Sequence, residues 1–74
     1  TIFECRFVNG TQQVRYVHRE VYNQQQTSHF DSDVGKFVAD SPLDESTVES
    51  WNSDTEYLEY EQGSVDTFCR HNYR

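Results

Sequence analysis

The segment His18-x-Glu20 places an imidazole and a carboxylate two residues apart. Residues two apart in a strand point to the same face, so this pair could be an acid–base couple or half of a metal site. A third ligand at a recognisable spacing is missing from the sequence, and polar residues on an exposed or cleft-lining face are the commoner interpretation. His71 could act as a base, but no nucleophile lies near it in the sequence. We therefore predict that the protein is not an enzyme, and that it has no catalytic site, no metal and no cofactor.

Residues 53–72 have the spacing of a helix with two different faces. Leu58, Gln62, Val65 and Cys69 recur at steps of four, three and four, and we predict that this stripe packs against the rest of the domain. A neighbouring stripe combines large rings with hydrogen-bonding groups: Tyr57, Tyr60, Glu61, Ser64, Phe68, His71 and Asn72. That mixture suits the wall of a binding cleft. The spacing fits the amphipathic edge of an ordinary packed helix equally well, so the pattern leaves both interpretations open.

The two cysteines, Cys5 and Cys69, lie near opposite ends of the chain. Asn9-Gly10-Thr11 is an N-glycosylation acceptor, which is meaningful only in a secreted protein. The two features support each other and favour an oxidising compartment. A Cys5–Cys69 bridge would close a loop of about 65 residues and, on a chain-entropy argument, would stabilise the domain by roughly 4 kcal/mol. Two thiols alone do not establish that bridge.

Length and charge limit the possible functions. A chain of 74 residues holds one domain, and an apolar content of 34% is low for a core that stands alone, so a staple or a partner chain should supply the missing stability. Residues 39–74 hold nine of the 13 acidic residues and two of the six basic ones. This distribution argues against nucleic-acid binding, which needs clustered Lys and Arg. The sequence has neither a signal peptide nor a membrane-length apolar run and begins mid-pattern, so we expect an internal piece of a longer chain.

The first half has the pattern of an antiparallel sheet. We predict strands over residues 1–8, 13–22, 27–31 and 36–40, with turns at residues 9–10, 23–26 and 32–35. Along the second strand, one face carries Val14, Tyr16, His18, Glu20 and Tyr22. Because neither face of that strand is purely apolar, we do not expect an ordinary core sheet.

The second half carries helix signals. Ser41-Pro42-Leu43-Asp44 combines a capping serine, a proline at the first helical position and an acid that completes a capping box. This helix should end near Trp51-Asn52, and Ser53-x-x-Glu56 predicts a second capping box and a second helix, kinked at Gly63. The predicted fold is α+β, with a four-stranded antiparallel sheet over residues 1–40 and a broken helix lying across it over residues 41–74.

Several short segments are more specific than these patterns. They are Asn9-Gly10-Thr11, Val14-Arg15, Tyr22-Asn23-Gln24, residues 30–35, Trp51-Asn52-Ser53 and residues 65–73. Together, in this order and spacing, they closely resemble the β1 domain of major histocompatibility complex (MHC) class II β chains, along the whole sequence and without a gap. The resemblance implies half of a peptide-binding groove: four strands of its floor and one helical wall. An α chain would supply the other half, and the groove would display antigenic peptides to the receptors of CD4 T cells.

The resemblance also implies roles for individual residues. By position, Trp51, His71 and Asn72 match residues that hydrogen-bond the peptide main chain. The central anchor pocket is matched by Phe3, Tyr16, His18, Tyr60, Glu61, Ser64 and Phe68. Thr1 and Glu20 match the next pocket, Phe37 and Tyr57 a further one, and Thr47 the last one. Cys5–Cys69 corresponds to the family's disulfide and Asn9 to its glycan.

Two pockets carry expectations about the peptide. Thr47 stands where many family members have an aspartate that pairs with an α-chain arginine, so an acidic last anchor becomes plausible. Glu20 and Glu61, taken to have no bound base nearby, should favour Lys or Arg at central peptide positions. The first anchor pocket depends partly on residues beyond Arg74 and cannot be assigned.

The resemblance places the domain on the extracellular or lumenal side of cell-surface and endosomal membranes. It would belong to a glycosylated single-pass membrane protein anchored by segments outside these residues. A first alternative is a class II-like editor of peptide loading, which would not need the main-chain ligands Trp51, His71 and Asn72. A second is a secreted, disulfide-stapled module that binds a protein ligand without a groove. That module would fold stably alone, whereas a groove half should depend on an α chain.

Overall fold

Four strands form one antiparallel sheet in the order β1-β2-β3-β4. The computed structural model describes residues 1–8, 10 and 12–73, so the predicted glycosylation site at Asn9 lies outside the described residues. The strands are β1 (Ile2–Val8), β2 (Gln13–Tyr22), β3 (Gln25–Asp31) and β4 (Lys36–Ala39). The predicted meander is confirmed, and β2 has the predicted bounds.

The turn between β2 and β3 is two residues long, not the four that we predicted. Asn23 and Gln24 have φ angles of 51° and 64°. Positive φ at both positions is the geometry of a two-residue hairpin turn whose twist matches that of the strands. Asparagine adopts it readily but glutamine does not, so the sequence carries only half of the usual signal. β3 therefore begins at Gln25.

The rest of the chain forms a helical wall, residues 42–73, across one face of the sheet. It consists of a 3₁₀ turn (Pro42–Asp44), α1 (Glu45–Asn52), α2 (Thr55–Ser64), a π-helical segment (Val65–Arg70) and a last turn, α3 (His71–Tyr73). The α+β architecture with a broken helix is confirmed. In the parts of the chain that the structure describes, no helix is both long and apolar enough to cross a membrane.

The predicted kink at Gly63 is wrong in position. α2 runs through Gly63 without a break, and the departure from α geometry is the π-helical segment that begins at Val65. A Cβ atom built at Gly63 would meet nothing within 4 Å, so this glycine is not needed for a close approach. Cys69, whose side chain is fully buried, lies within this π-helical segment.

Both predicted capping boxes are wrong in detail. The Ser41 hydroxyl accepts a hydrogen bond from the Leu43 amide at 3.4 Å. A capping box would also need the Ser41 amide to donate to the Asp44 carboxylate. That amide instead donates to the Thr27 carbonyl at 3.1 Å. α2 is capped by Asp54, whose carboxylate accepts from the Tyr57 amide at 3.1 Å. The tight junction with α1 shifts the cap one residue past Ser53, and a carboxylate there also suits the positive end of the helix.

Asn52, the last residue of α1, fastens the helical wall to the outer edge of β4. Its Oδ1 accepts from the Phe37 amide at 2.8 Å, and its Nδ2 donates to the Phe37 carbonyl at 3.0 Å. The side-chain amide thus takes the place of a neighbouring strand at that point. An edge strand covered in this way cannot pair with another chain there.

The core lies between the sheet and the helical wall. Its buried members are Tyr16, Phe30, Phe37, Val48 and Cys69. Cys69 is bonded to Cys5 with a Cα–Cα distance of 5.6 Å, which confirms the predicted bridge and ties β1 to the π-helical segment. Stapling is important in a domain this small, because its core alone gives only a marginal free energy of folding.

The opposite face of the sheet carries ion pairs around the buried side chain of Val17. Arg19 and Arg6 both contact the Glu4 carboxylate, at 3.0 and 2.9 Å. Arg15 forms a two-pronged pair with the buried carboxylate of Asp31. This bond holds the pKa of Asp31 below its ordinary value, although burial opposes the shift. The mixed faces predicted for β2 are thus a core-facing side and an ion-paired side.

Candidate functional site

A cavity of about 480 Å³ lies between the first two strands and the helical wall. Its lining residues are Phe3, Tyr16, His18, Tyr57, Tyr60, Glu61, Ser64, Thr67 and Phe68. All seven residues predicted for the central anchor pocket are among them. Tyr57 was expected in a further pocket, and Thr67 was missed although it follows Ser64 at a helical step of three. We call this cavity the central pocket.

The helical wall presents its mixed aromatic and polar stripe to the central pocket. Glu61 and Ser64 are buried, whereas Tyr60 is 71% exposed and Phe68 38% exposed. On the stripe predicted to pack, Cys69 is buried and Leu58 and Val65 are half-buried, but Gln62 is exposed. Gln62 lies toward the β3–β4 turn, where its side-chain oxygen would be 3.9 Å from a Cβ atom at Gly35. The cleft-wall interpretation of the sequence pattern therefore fits this geometry.

His18 links two carboxylates at the floor of the central pocket. Its Nδ1 lies 2.5 Å from an oxygen of Glu61 and its Nε2 lies 2.6 Å from an oxygen of Glu20. His18 and Glu61 are 8% and 4% exposed. The hydrogen bond to Glu61 raises the pKa of His18 and the bond to Glu20 adds to this, although burial acts against them. The expectation that Glu20 and Glu61 have no base nearby is therefore wrong.

No local pattern predicted this contact, because His18 and Glu61 are 43 residues apart in the chain. The pairing of His18 with Glu20 was visible as a same-face spacing on β2. The pairing with Glu61 depends on how α2 crosses the sheet. A histidine placed between two carboxylates is held in one orientation through both ring nitrogens.

Tyr16 closes the pocket floor beside this histidine. Its ring is almost fully buried, and burial together with the negative charge of Glu61 raises the pKa of its phenol to about 12. The group therefore stays neutral throughout the physiological pH range. On the side of β1, the centroid of the Phe3 ring lies 4.9 Å from that of the His18 ring and 5.7 Å from that of the Phe68 ring.

The residues predicted for the neighbouring pockets also lie together in pairs. The Thr1 hydroxyl donates to the Glu20 carboxylate at 3.2 Å. The rings of Phe37 and Tyr57 are stacked, with centroids 5.5 Å apart and an interplanar angle of 12°. Trp51 packs on the same Phe37 ring at 4.9 Å. Phe37 thus connects the pocket predicted around it to one of the predicted main-chain ligands.

The other predicted peptide contacts lie along the helical wall. Thr47 is exposed on α1, and His71 and Asn72 are exposed in α3. Trp51 and Asn72 thus stand toward opposite ends of the helical wall, with the central pocket between them. The assigned roles of these residues remain predictions.

The sequence matches the family described as class II histocompatibility antigen, beta domain, over residues 2–74. The chain therefore belongs to the class II histocompatibility antigen β family. It is 49% identical over 71 residues to the human HLA class II histocompatibility antigen, DR beta 5 chain, covering 96% of this chain and 27% of that protein. The mouse H-2 class II histocompatibility antigen, E-D beta chain, is 51% identical over 70 residues, covering 95% of this chain and 26% of that protein.

A bird relative of this β family is equally similar. The chicken class II histocompatibility antigen, B-L beta chain, is 50% identical over 70 residues, which cover 95% of this chain and 30% of that protein. The chain thus spans between 26% and 30% of the length of these class II β relatives. Family membership and the resemblance predicted from the sequence segments are confirmed.

Proposed function

We propose that residues 1–74 form one half of a peptide-binding groove, completed by a class II α chain, that displays antigenic peptides to CD4 T-cell receptors. The observation that carries the proposal is the one-sided central pocket, which has a sheet floor and a single helical wall. Its rings are left exposed, as shown by Phe3 at 52% and Tyr60 at 71%. Large exposed rings beside buried polar groups are typical of surfaces that a partner or ligand covers.

The two edges of the sheet support pairing with an α chain through β1. β4 has its outer edge covered at Phe37 by the side chain of Asn52. Among the described strands, β1 has a neighbour on one side only, which is β2. Adding a strand there would continue the groove floor and would bury Ile2 and Val8, which are 51% and 54% exposed.

The peptide main chain would be held by Trp51, His71 and Asn72. Hydrogen bonds to main-chain groups are independent of the peptide's sequence, and the side-chain amide of Asn72 can both donate and accept. Trp51 is supported from below by the Phe37 ring, so its position is fixed before any peptide binds. Such preorganisation raises affinity because less conformational freedom is lost on binding.

Selectivity would come from the pockets between these ligands. We assign the central pocket to one anchor side chain, the pair Thr1 and Glu20 to the next, and the stacked Phe37 and Tyr57 to a further one. Thr47 would lie near the last anchor. Because a threonine cannot neutralise a cationic group of the α chain, that group would be available to an acidic anchor.

A location on the lumenal or extracellular side of cell-surface and endosomal membranes, with a glycan on Asn9, completes the proposal. The Cys5–Cys69 bond supports it, because disulfides persist in oxidising compartments. Membrane anchoring would be the task of segments outside these residues.

The test is elution of bound peptides. The full-length chain that contains residues 1–74 would be co-expressed with a class II α chain, purified and stripped with acid, and the released peptides sequenced by mass spectrometry. Overlapping peptides that share one core register are the expected result. A stable heterodimer without peptides would indicate the loading editor, and failure to pair with any α chain would indicate a stand-alone binding module.

A further inference from the structure

The ring of His18 is held by a carboxylate at each of its two nitrogens, 2.5 Å from Glu61 and 2.6 Å from Glu20. At such distances each nitrogen must share a proton with its carboxylate oxygen, because two lone pairs facing each other repel. The three groups therefore hold two protons, and the set carries one net negative charge. We call these three residues the carboxylate–histidine set.

The hydrogen bonds to Glu61 and Glu20 raise the pKa of His18, although burial acts against them, and the other neighbours of its ring come from α2, β1, β2 and β4. From α2, the charged neighbour is Glu61, and the Tyr57 phenol has a pKa raised by burial and by the charge of that carboxylate. From β2 itself come Glu20 and the neutral phenol of Tyr16. The contacting residues of β1 and β4 are the apolar rings of Phe3 and Phe37. Tyr60 of α2 lines the same pocket.

The buried positions of His18 and Glu61 make their charge balance important for anything that enters the pocket. A lysine or arginine anchor would bring a second cation to carboxylates that already have one. In a site screened this little by water, like charges at contact distance repel strongly. A cationic anchor and a protonated His18 therefore compete for the same two carboxylates.

On the proposed function of this groove, we propose that His18 is a specificity-determining residue through which a cationic anchor side chain enters the central pocket in exchange for a proton. An N–H group of the anchor replaces one of the histidine's two N–H groups as the donor to a carboxylate, while neutral His18 keeps its other N–H. His18 releases one proton to bulk water and becomes neutral. The pocket then holds the anchor's positive charge and two carboxylates, so its total charge is the same before and after the exchange. An uncharged anchor leaves the proton on His18.

The exchange predicts how anchor preference depends on pH. Uptake of a lysine anchor releases a proton, so its affinity relative to an uncharged anchor with the same number of side-chain carbons should rise with pH. The ratio of the two affinities, lysine anchor to uncharged anchor, should increase by up to about tenfold per pH unit as long as His18 is charged in the empty pocket. The slope has this limit because one proton is exchanged. Above the folded pKa of His18 the ratio should become constant, since no proton remains to be displaced.

The experiment uses the full-length chain paired with its α chain and two peptides that differ only at the central anchor, lysine against norleucine. Competitive binding would be measured from pH 6 to pH 8.5 for the wild type, His18→Gln and His29→Gln. His29 is the matched control, because it lies on the ion-paired face, bonded to Asp40 at 2.7 Å. Wild type and the His29 variant should show a rising lysine-to-norleucine ratio. His18→Gln should show a higher ratio at pH 6.5 and little slope.

A second measurement uses only the wild-type protein, so it does not depend on whether a variant folds. Calorimetry of the wild-type heterodimer at pH 6.5, in two buffers of different ionisation enthalpy, should detect proton release with the lysine peptide and little with the norleucine peptide. Equal proton release for both peptides, or a ratio that does not change with pH, would overturn the role of His18 while leaving the groove intact. If neither peptide binds at any pH, the proposed function itself fails, and with it this inference.

Discussion

Replacing Asn52 tests whether one side chain holds the helical wall, and with it Trp51, in place. Asn52→Ala removes two hydrogen bonds to the main chain of Phe37, which are 2.8 and 3.0 Å long. A hydrogen bond contributes about 1 kcal/mol on average, so the two together should stabilise this contact by about 2 kcal/mol. Since 1.4 kcal/mol is a factor of ten, opening of β4 should become roughly thirtyfold more frequent.

The assay is hydrogen exchange of the Phe37 amide in the purified heterodimer. The variant should exchange about thirtyfold faster there, while amides of β2 change little. Trp51 precedes Asn52 and packs on Phe37, so peptides of unrelated sequence should all dissociate faster. Gln62→Ala is the control, because it removes a similar amide from an exposed position of the helical wall. If both variants protect the Phe37 amide equally, the Asn52 contact does not hold β4 and the reasoning fails.

Four further predictions concern the peptide contacts and acid stability. Asn72→Ala should weaken all peptides to a similar degree in a binding panel, since it would contact only the main chain; a loss limited to certain sequences would contradict that role. Glu61→Lys should raise the share of acidic residues at the central anchor among eluted peptides, and Thr47→Asp should reduce acidic residues at the last anchor. Unchanged motifs would show that the pocket assignments are wrong. The lowered pKa of Asp31, caused first by its bond to Arg15, gives stability that is present above the ordinary pKa of about 4 and is lost as pH falls through the folded value. Asp31→Asn should therefore be less stable than wild type at pH 7, with a smaller loss on acidification in urea melts; identical pH profiles would exclude the effect.

Local sequence signals predicted the strands well and the ends of the helices less well. Alternation and turn residues gave β2 its bounds, because each strand's pattern repeats over several residues. The junction near residues 52–54 was located, but its cap falls on Asp54 rather than Ser53. Capping depends on which residue first leaves helical geometry, and a tight helix–helix turn decides this by a single residue. The turn at Asn23-Gln24 was mistaken for a longer one, since glutamine seldom adopts positive φ.

The sequence by itself determined the fold class and the family. The resemblance to class II β chains assigned all seven residues of the central pocket by position, whereas helical spacing alone left open whether that face of the helix lines a cleft or packs. Only the tertiary structure decided how these side chains share charge. His18 meets Glu61 because α2 crosses β2 at that level, and the electrostatic state of a buried group is set by the neighbours within a few ångströms of it. Such neighbours can be 43 residues apart in the chain, and local spacing carries no information about them.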